Sequence, residues 1–242
     1  MRLLASLHRR LIFNSSRVHL DAVNQSFANG IPPGSLVLDA GAGGCMYKGL
    51  FRHARYESAD FRQIDKEYGE ITYVCDLRSL PVEDERFDYI VFNQTLEHLQ
   101  QPAVVLHELS RILKVGGRIL CTAPFYYEEH EQPYDFYRYT QFGHRFLFTD
   151  AGFEILSIEW MEGYCGTLAY QLDLAVRKLP ISPNAYGGGV LGWLLTPGII
   201  VAKILFILLA AALCRLDVRH KVVAGGHPKN YSVLARKTSK AA

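Results

Sequence analysis

Glycines and carboxylates with the spacing of a nucleotide site stand near the start of the chain. The run Gly41–Gly44 follows a short apolar segment, 36–40, that predicts a buried strand carrying Asp39 near its end. Glycine lets the backbone turn tightly and lets a ligand approach the main chain. Asp60 ends the next predicted strand, nineteen residues past Gly41. An acid about 20 residues beyond such a loop binds a ribose diol in α/β nucleotide sites. The spacing therefore predicts a nucleoside or nucleotide site.

The glycine pattern also narrows the kind of nucleotide. A dinucleotide fold uses G-x-G-x-x-G, with the pyrophosphate on a helix N-terminus. Here Met46 stands near the place of the third glycine, and the first basic residue after the loop is Lys48. The loop therefore lacks the usual phosphate-binding residues, which disfavours an NAD-dependent oxidoreductase and suits a nucleoside that carries an amino-acid tail.

The segment Val37–Gly44 resembles the first motif of class I S-adenosylmethionine-dependent methyltransferases, in the small-molecule, type 11-like branch. The likeness continues to about Trp160 and resumes in Tyr231–Arg236. It implies S-adenosyl-L-methionine as cofactor and a Rossmann-like fold. In that fold a mostly parallel seven-stranded sheet has helices on both faces, and its last strand runs antiparallel beside the fifth.

The resemblance also implies roles for the residues at the strand ends. Asp39 and the backbone of the glycine loop would hold the methionine end, Asp60 the ribose hydroxyls, and Asp76 and Leu77 the adenine. The amides of Asn93 and Gln94 would lie near the sulfonium. The implied cofactor-binding residues are thus Asp39, Gly41, Gly43, Gly44, Asp60, Asp76, Leu77, Asn93 and Gln94. Asp is also common as a helix cap and as a turn former, so Asp39 and Asp76 have structural alternatives.

Two histidines are candidates for catalysis. His98 lies in the stretch 93–99, which resembles the fourth-strand motif of the small-molecule branch, and His130 lies in a later loop. Either could act as a general base if the acceptor is a hydroxyl. The alternative is that Glu97 and His98 cap the loop before Pro102, because methyl transfer depends mainly on in-line proximity.

The segment Pro124–Thr140 follows the fifth predicted strand and so lies over the same sheet edge. It holds five tyrosines and four carboxylates, a composition suited to a sugar-like or ring-containing acceptor. Similar segments occur in methyltransferases encoded with cell-envelope polysaccharide genes. Candidate acceptor-binding residues are Tyr126, Tyr134, Asp135 and Arg138. The alternative is a structural Asp135–Arg138 ion pair, with tyrosines that cover the sheet edge.

Short apolar runs predict the other strands, and amphipathic stretches predict the helices between them. Strands are predicted at 56–60, 71–75, 87–93, 118–123, 153–160 and 231–236, and helices begin at Pro102 and, with a Thr140 cap, near residue 141. Strands alternating with helices predict a parallel sheet covered on both faces.

An apolar run, 190–214, whose only charge is Lys203, interrupts this rhythm. Pro197-Gly198 is expected to divide it and leave an unbroken piece, 199–214. A single crossing would place the last strand on the wrong side of a bilayer, and two crossings need roughly 20 residues each. We therefore expect segment 161–229 to lie on one leaflet or dip into it. The alternative is burial against its own domain or a second subunit.

The leading segment MRLLASLHRRLIF predicts a helix packed on the domain, or a basic membrane-surface helix.

Four segments follow from these patterns: a helical lead-in (1–34), the cofactor-binding core (35–160), the apolar insertion (161–229), and the last strand with a basic tail (230–242). Segment 215–240 has seven Lys or Arg residues against one acid, which favours an anionic surface. The net charge of +2 is too small to indicate nucleic acid, and five scattered cysteines indicate a reducing compartment without a zinc site. We expect no metal.

The expected function is therefore methyl transfer to a small molecule, most consistent with a lipid-linked or cell-envelope saccharide, on the cytoplasmic face of a membrane. A quinone ring or a lipid head group remains open as the acceptor. A non-catalytic membrane scaffold with the same fold remains the alternative function.

Overall fold

The structure is a computed structural model, and it describes residues 15–239. The N-terminal segment MRLLASLHRRLIF, for which a helix is predicted, lies outside the described residues. By internal contacts the chain divides into two compact units. Among the described residues, one comprises 20–161 with 230–239, and the other comprises 15–19 with 162–229. The four segments predicted from the sequence remain a prediction, because these two units are defined by internal contacts and not by sequence patterns.

The larger unit is built on a seven-stranded sheet of order β3-β2-β1-β4-β5-β7-β6. The strands are β1 (Leu36–Ala40), β2 (Arg55–Asp60), β3 (Tyr73–Val74), β4 (Phe87–Asn93), β5 (Leu113–Pro124), β6 (Phe153–Trp160) and β7 (Asn230–Lys237). Strands β1 to β5 pair in parallel, and β7 is antiparallel to both β5 and β6. This arrangement confirms the predicted fold class, including the antiparallel last strand beside the fifth.

Helices connect the strands, and their ends follow local signals in the sequence. They are α1 (Ser15–Asn29), α2 (Pro102–Ile112), α3 (Gln141–Asp150), α4 (Tyr164–Lys178) and α5 (Gly189–Arg219). Pro102 opens α2, where a missing N–H costs nothing. The Thr140 hydroxyl caps α3 by accepting a hydrogen bond from the Gly143 N–H at 3.1 Å, as predicted. Short 3₁₀ turns occupy Lys48–Phe51, Leu96–His98 and Pro183–Tyr186.

The central strands are buried because helices cover both faces of a parallel sheet. All five residues of β1 are buried. The main core joins Leu38, Ile90, Phe92, Leu109 and Phe148, all fully buried. A close-packed core of this kind fixes the strand ends from which the site is built.

Three predicted elements differ from the structure. The third strand was predicted over 71–75 but pairs only at Tyr73–Val74, because Ser58 Oγ donates to the Glu70 carbonyl and the Ser58 N–H donates to Thr72 Oγ1. These side-chain bonds replace ladder bonds at the sheet edge. The fifth strand begins at Leu113 instead of Arg118, and its pairing with β4 shifts register between Phe87 and Tyr89.

The third difference is in the apolar run, which Pro197 was expected to divide. Helix α5 instead continues through Pro197 for 31 residues. Proline in a helix interior leaves the carbonyl four residues earlier without its donor, and neighbouring hydroxyls commonly compensate in apolar helices. Here the Thr196 hydroxyl donates to the Gly192 carbonyl at 2.8 Å. That carbonyl is the neighbour of the Trp193 carbonyl, which Pro197 leaves without its donor.

The smaller unit is a helical hairpin of α4 and α5. Ile207, Ala210, Ala211 and Cys214 form the buried stripe of α5, and Ala169 of α4 packs in the same cluster as Ala210 and Cys214. By length and composition α5 could span a membrane, a test that a core helix of a soluble protein also passes. Only 28% of its most apolar 18-residue window is buried, however.

Candidate active site

The glycine loop leaves β1 and turns beneath the end of β4. Gly41 has φ +72° and Gly43 has φ +49°, values that side chains rarely adopt. A Cβ on Gly41 would lie 2.3 Å from Thr95 Oγ1, just past β4. The Gly41 N–H donates to the Ala59 carbonyl at 2.8 Å. Gly41 is therefore required both by its backbone angle and by its close neighbour.

Asp60, at the end of β2, holds the loop from the other side. Its Oδ2 accepts a hydrogen bond from the Gly43 N–H at 2.9 Å, and its Oδ1 accepts from the Arg62 N–H at 2.7 Å. A carboxylate has about four acceptor positions. Two therefore remain for a ligand while the carboxylate keeps the loop in place.

Asp76 and Leu77 follow β3. Together with Gly41 and Asp60 they line one cavity at the carboxyl edge of the sheet. Arg78 donates to the Asp76 carboxylate through Nε at 3.0 Å and Nη2 at 2.6 Å. These bonds lower the pKa of Asp76. Leu77 is only 5% exposed, and it offers an apolar contact at the cavity wall, as Ile64, Leu99 and Val105 also do.

Asp39 is buried beneath the loop. Tyr56 Oη donates to Asp39 Oδ2 at 2.6 Å. Burial raises the pKa of Asp39 to about 6, the Tyr56 hydrogen bond opposes this, and the charge of Asp60 adds to it. Asp39 does not itself line the cavity that Gly41 and Asp60 line, but a pKa perturbed in this way often accompanies a functional site.

Asn93, the last residue of β4, and Gln94, the residue after it, point in different directions. Gln94 lines the cavity and has φ +48°. Asn93 lies outside the lining, and its side chain donates to Asn24 Oδ1 at 2.7 Å and accepts from Thr122 Oγ1 at 2.9 Å. The structure therefore brings only Gln94 to the place predicted for both.

On the opposite side of the cavity stand His98 and Tyr134. The Tyr134 carbonyl lies 2.7 Å from His98 Nδ1, which therefore carries the proton and leaves the Nε2 lone pair free. Burial lowers the pKa of His98. His130 lies behind it, outside the lining, with ring centroids 4.8 Å apart.

The other candidate residues of the 124–140 segment have structural contacts. Arg138 pairs with both oxygens of Asp135, at 2.6 and 2.7 Å. Burial alone would raise the pKa of Asp135, but the bonds from Arg138 and from the His130 N–H lower it to about 2. Tyr126 is 41% exposed. None of these three residues is among those that line the cavity described above.

Comparison with known proteins bears on this geometry. Residues 38–121 match a family model described as "Methyltransferase domain". A tRNA (carboxymethyluridine(34)-5-O)-methyltransferase of Arabidopsis thaliana is 30% identical over 117 residues, which are 46% of this chain and 29% of that protein. The span that matches the family model contains the glycine loop, Asp60, Asp76 and Gln94. The chain carries a class I methyltransferase domain.

Solved structures extend the likeness of fold beyond that domain. The [4+2]-cyclase SpnF has a TM-score of 0.55 and 20% identity, covering 90% of this chain and 81% of its own. A Burkholderia thailandensis 1,6-didemethyltoxoflavin-N1-methyltransferase, solved with S-adenosylhomocysteine, has a TM-score of 0.52 and 16% identity, with 93% and 79% covered. The chain spans less than half the length of the curated relatives that it matches. Such distant structures share the fold, which here serves both a cyclase and a methyltransferase.

The methyltransferase domain confirms the resemblance seen in the sequence, but part of its cavity comes from residues that the sequence did not single out. These belong mainly to the irregular segment after β2: Phe61, Gln63, Ile64, Lys66 and Tyr68. Lys66 Nζ lies 2.9 Å from Glu131 Oε1, so an ion pair joins this segment to the one that follows β5. The position of these residues in the sequence could have indicated their role. Both segments follow strands at the carboxyl edge of the sheet, where ligands of open α/β sheets bind.

The residues present fit S-adenosylmethionine in the methyltransferase domain. A Cβ built on Gly44 meets no described atom within 4 Å, and one on Gly43 meets only Lys66 Nζ at 4.0 Å, so this part of the loop is an open cradle. Asp60 offers free acceptor positions and Leu77 an apolar wall. The carboxylates suit a ligand that carries a sulfonium and an ammonium charge.

Proposed function

We propose that the protein is an S-adenosylmethionine-dependent methyltransferase that acts at a membrane surface on a small molecule, a lipid-linked or cell-envelope saccharide. One observation carries the proposal. A single cavity at the carboxyl edge of the sheet joins the glycine loop, Asp60 and Leu77 on one side to His98 and Tyr134 on the other. This cavity offers a cofactor-binding site and an acceptor-binding site next to each other.

The cofactor supplies a methyl group on a positively charged sulfur, and the chain supplies position. Asp60 and the loop fix the nucleoside, while Gln94 lies between the two sides of the cavity. Holding the reacting atoms in line accounts for most of the rate gain in such displacements. His98 Nε2 has a free lone pair and can accept a proton when the acceptor is a hydroxyl.

The acceptor side supports a ring-shaped ligand. Tyr134, Phe136 and His98 line it together with the amides Gln100 and Gln101. Aromatic faces with a few polar groups are typical of sites for sugars and similar rings. We infer a role in acceptor binding for Tyr134, while Asp135, Arg138 and Tyr126 shape the segment that carries it.

The helical hairpin supports attachment to one leaflet. The Gly163 N–H, at the start of α4, donates to Asp217 Oδ1 near the end of α5 at 2.9 Å. A Cβ on Gly192, in the first turn of α5, would lie 2.3 Å from the Pro183 carbonyl oxygen. The chain thus enters and leaves the hairpin at one end, which is the topology of a monotopic insertion and not of a single crossing.

The other end of the hairpin is apolar and exposed. Val190, Leu191, Trp193 and Leu194 are each 64% exposed or more. Contiguous apolar surface of this kind marks an interaction site. The exposed apolar side chains continue along α5 to Leu205, Leu208 and Leu209, each 48% exposed or more. Because the chain enters and leaves the hairpin at its opposite end, insertion of this surface into one leaflet accounts for its exposure.

The first test is calorimetric binding of S-adenosylhomocysteine to the purified full chain, alongside Asp60→Ala. We expect micromolar binding that Asp60→Ala abolishes, since the nucleoside and the Gly43 N–H both lose their acceptor. The control is Asp150→Ala, an exposed acid of α3 paired with His107. Absence of binding in folded protein would refute the enzymatic function and favour the non-catalytic scaffold. Preferential binding of NAD would instead indicate an oxidoreductase.

A second test separates the membrane from a protein partner. The chain is floated with anionic vesicles, and Trp193→Glu is compared with Phe142→Glu. Trp193 is 71% exposed in the hairpin and Phe142 is 72% exposed in α3. We expect only Trp193→Glu to stay unbound. Dimerisation that Trp193→Glu abolishes, without vesicle binding by the unchanged protein, would show that a second copy covers this surface.

A further inference from the structure

Glu97, in the 3₁₀ turn after β4, has a carboxylate that its surroundings do not explain. The residue is fully buried, and neither Oε1 nor Oε2 has a hydrogen-bond partner among residues 15–239. Its backbone is fixed, because its carbonyl accepts from the Phe136 N–H at 2.9 Å. Burial raises the pKa of Glu97 to about 8. Leaving such a group unpaired costs on the order of several kcal/mol, so a buried carboxylate without a partner indicates a strained, catalytic or ion-binding position.

Two imidazoles stand beside this carboxylate. His98 Nε2 lies 3.8 Å from Glu97 Oε1 and 3.7 Å from Glu131 Oε2. One ligand atom each from Glu97, His98 and His130 can be chosen so that all three lie within 4.8 Å of one another. The three residues therefore surround a single point beside the cavity.

The hydrogen bonds of both rings leave one nitrogen of each for a ligand. His98 Nδ1 is held by the Tyr134 carbonyl at 2.7 Å. His130 Nδ1 lies 3.2 Å from Asp135 Oδ2 and 3.2 Å from the Glu128 carbonyl. Metal-binding histidines almost always donate the second ring N–H to a carbonyl or carboxylate in this way, which fixes the tautomer and the ring orientation.

We propose that Glu97, His98 and His130 bind one divalent transition-metal ion, with a free coordination position directed at the cavity. Because His98 lines the cavity and Glu97 is buried behind it, a bound ion would have protein on one side and the acceptor place on the other. Glu131 is near enough to be a fourth ligand.

The ligand types favour Zn²⁺, Mn²⁺ or Fe²⁺. Imidazole nitrogen suits Zn²⁺ and Fe²⁺, and carboxylate oxygen suits Mn²⁺, whereas Mg²⁺ and Ca²⁺ prefer oxygen ligands alone. Ligand atoms about 2.0–2.2 Å from a tetrahedral metal lie about 3.3–3.6 Å from one another. The three ligand atoms, which lie within 4.8 Å of one another, therefore have to approach by up to about 1.5 Å when the ion binds.

This proposal replaces the expectation of no metal, which considered only cysteine spacing. Within the proposed methyl transfer, a bound ion would occupy the Nε2 lone pair of His98 and so replace His98 as the group that activates the acceptor. The ion would bind an acceptor hydroxyl and lower its pKa, as metals do for bound water. That role rests on the proposed function, whereas metal binding itself does not. The competing explanation is a Glu97 that stays protonated and binds no ion.

The test is a titration of the metal-free full chain with Co²⁺, in which calorimetry measures binding and visible absorption reports the ligands. We expect one equivalent to bind, with d–d bands and without the near-ultraviolet charge-transfer band of a cysteine thiolate. Glu97→Gln keeps the shape of the side chain and should weaken binding at least tenfold, as should His130→Gln. The control is His107→Gln, which removes an exposed histidine outside the site.

Two results would overturn the proposal: equal affinity in Glu97→Gln and the unchanged protein, or a thiolate band that accounts for all binding. Circular dichroism of Glu97→Gln checks that it folds. The S-adenosylhomocysteine titration separates the two proposals. If the protein binds the nucleoside but does not bind Co²⁺, only the metal site is refuted. If it binds Co²⁺ but does not bind the nucleoside, only the methyltransferase is refuted.

Discussion

Replacing Asp39 by asparagine should stabilise the protein at neutral pH. Asp39 is 4% exposed, and burial raises its pKa from 3.8 to about 6. The folded state therefore holds the proton more tightly than the unfolded chain. Below pH 3.8 both states are protonated and the residue costs nothing. As the pH rises through 6, the folded state must carry a buried charge, and stability is lost.

The size of the effect follows from these two pKa values. The difference corresponds to about 3 kcal/mol against folding at pH 8, and to about 1.6 kcal/mol at pH 5. The asparagine amide has no charge, and its oxygen can still accept the Tyr56 hydrogen bond. We therefore expect Asp39→Asn to gain up to about 3 kcal/mol at pH 8, and about 1.4 kcal/mol less at pH 5.

Urea unfolding at pH 5 and pH 8 measures this difference, with Trp160 fluorescence as the probe in a Trp193→Phe background, because Trp160 lies in β6. The control is Asp88→Asn. Asp88 accepts bonds from the Leu36 N–H and from Lys114 Nζ, and its pKa is lowered, so Asp88→Asn should destabilise. A pH-independent effect of Asp39→Asn, or a loss of stability at pH 8, would refute the reasoning. The same variant should bind S-adenosylhomocysteine more weakly.

Two further predictions concern the loop and the core. Gly41→Ala should cost about 2 kcal/mol or more and abolish S-adenosylhomocysteine binding, because it combines a positive φ with the approach of Thr95. Gly116→Ala, with φ +81° and no described atom within 4 Å of its Cβ, should cost only about 1 kcal/mol in urea unfolding. His144 is buried, neither ring nitrogen has a partner among residues 15–239, and burial lowers its pKa to about 4. Lowering the pH from 7 to 5 should therefore destabilise the unchanged protein by about 2 kcal/mol relative to His144→Leu, and the same pH dependence in both would contradict this.

The sequence was sufficient where one physical signal dominated. Strands Phe87–Asn93 and Phe153–Trp160 have the bounds predicted for them, because buried strands require continuous or alternating apolar residues. The places of Asp60 and Asp76 followed in the same way, since parallel strands end at one edge. The fold class depended on few residues and was predicted correctly.

The remaining features depend on three-dimensional neighbours. That Gln94 and not Asn93 faces the cavity is set by the positive φ of Gln94 and by the bonds of Asn93 to Asn24 and Thr122. The short β3 results from hydroxyl bonds of Ser58 that no periodicity reveals. Glu97 and His130 are far apart in the chain and meet only because the segment after β5 folds back onto the turn after β4.

Charge links the two proposals. Asp39 and Asp60 raise the negative potential at one end of the cavity, where Arg78 pairs with Asp76. Glu131, paired with Lys66, lies at the other end, and Glu97 adds its charge there when a bound ion displaces the proton that its pKa of about 8 retains at neutral pH. Uncompensated carboxylates destabilise a protein without ligands, so their placement makes sense when cations occupy both ends. At the cofactor end the methyl donor is cationic at sulfur and its product is not. Transfer of the methyl group therefore removes the charge that those carboxylates attract, which favours release of the product over rebinding.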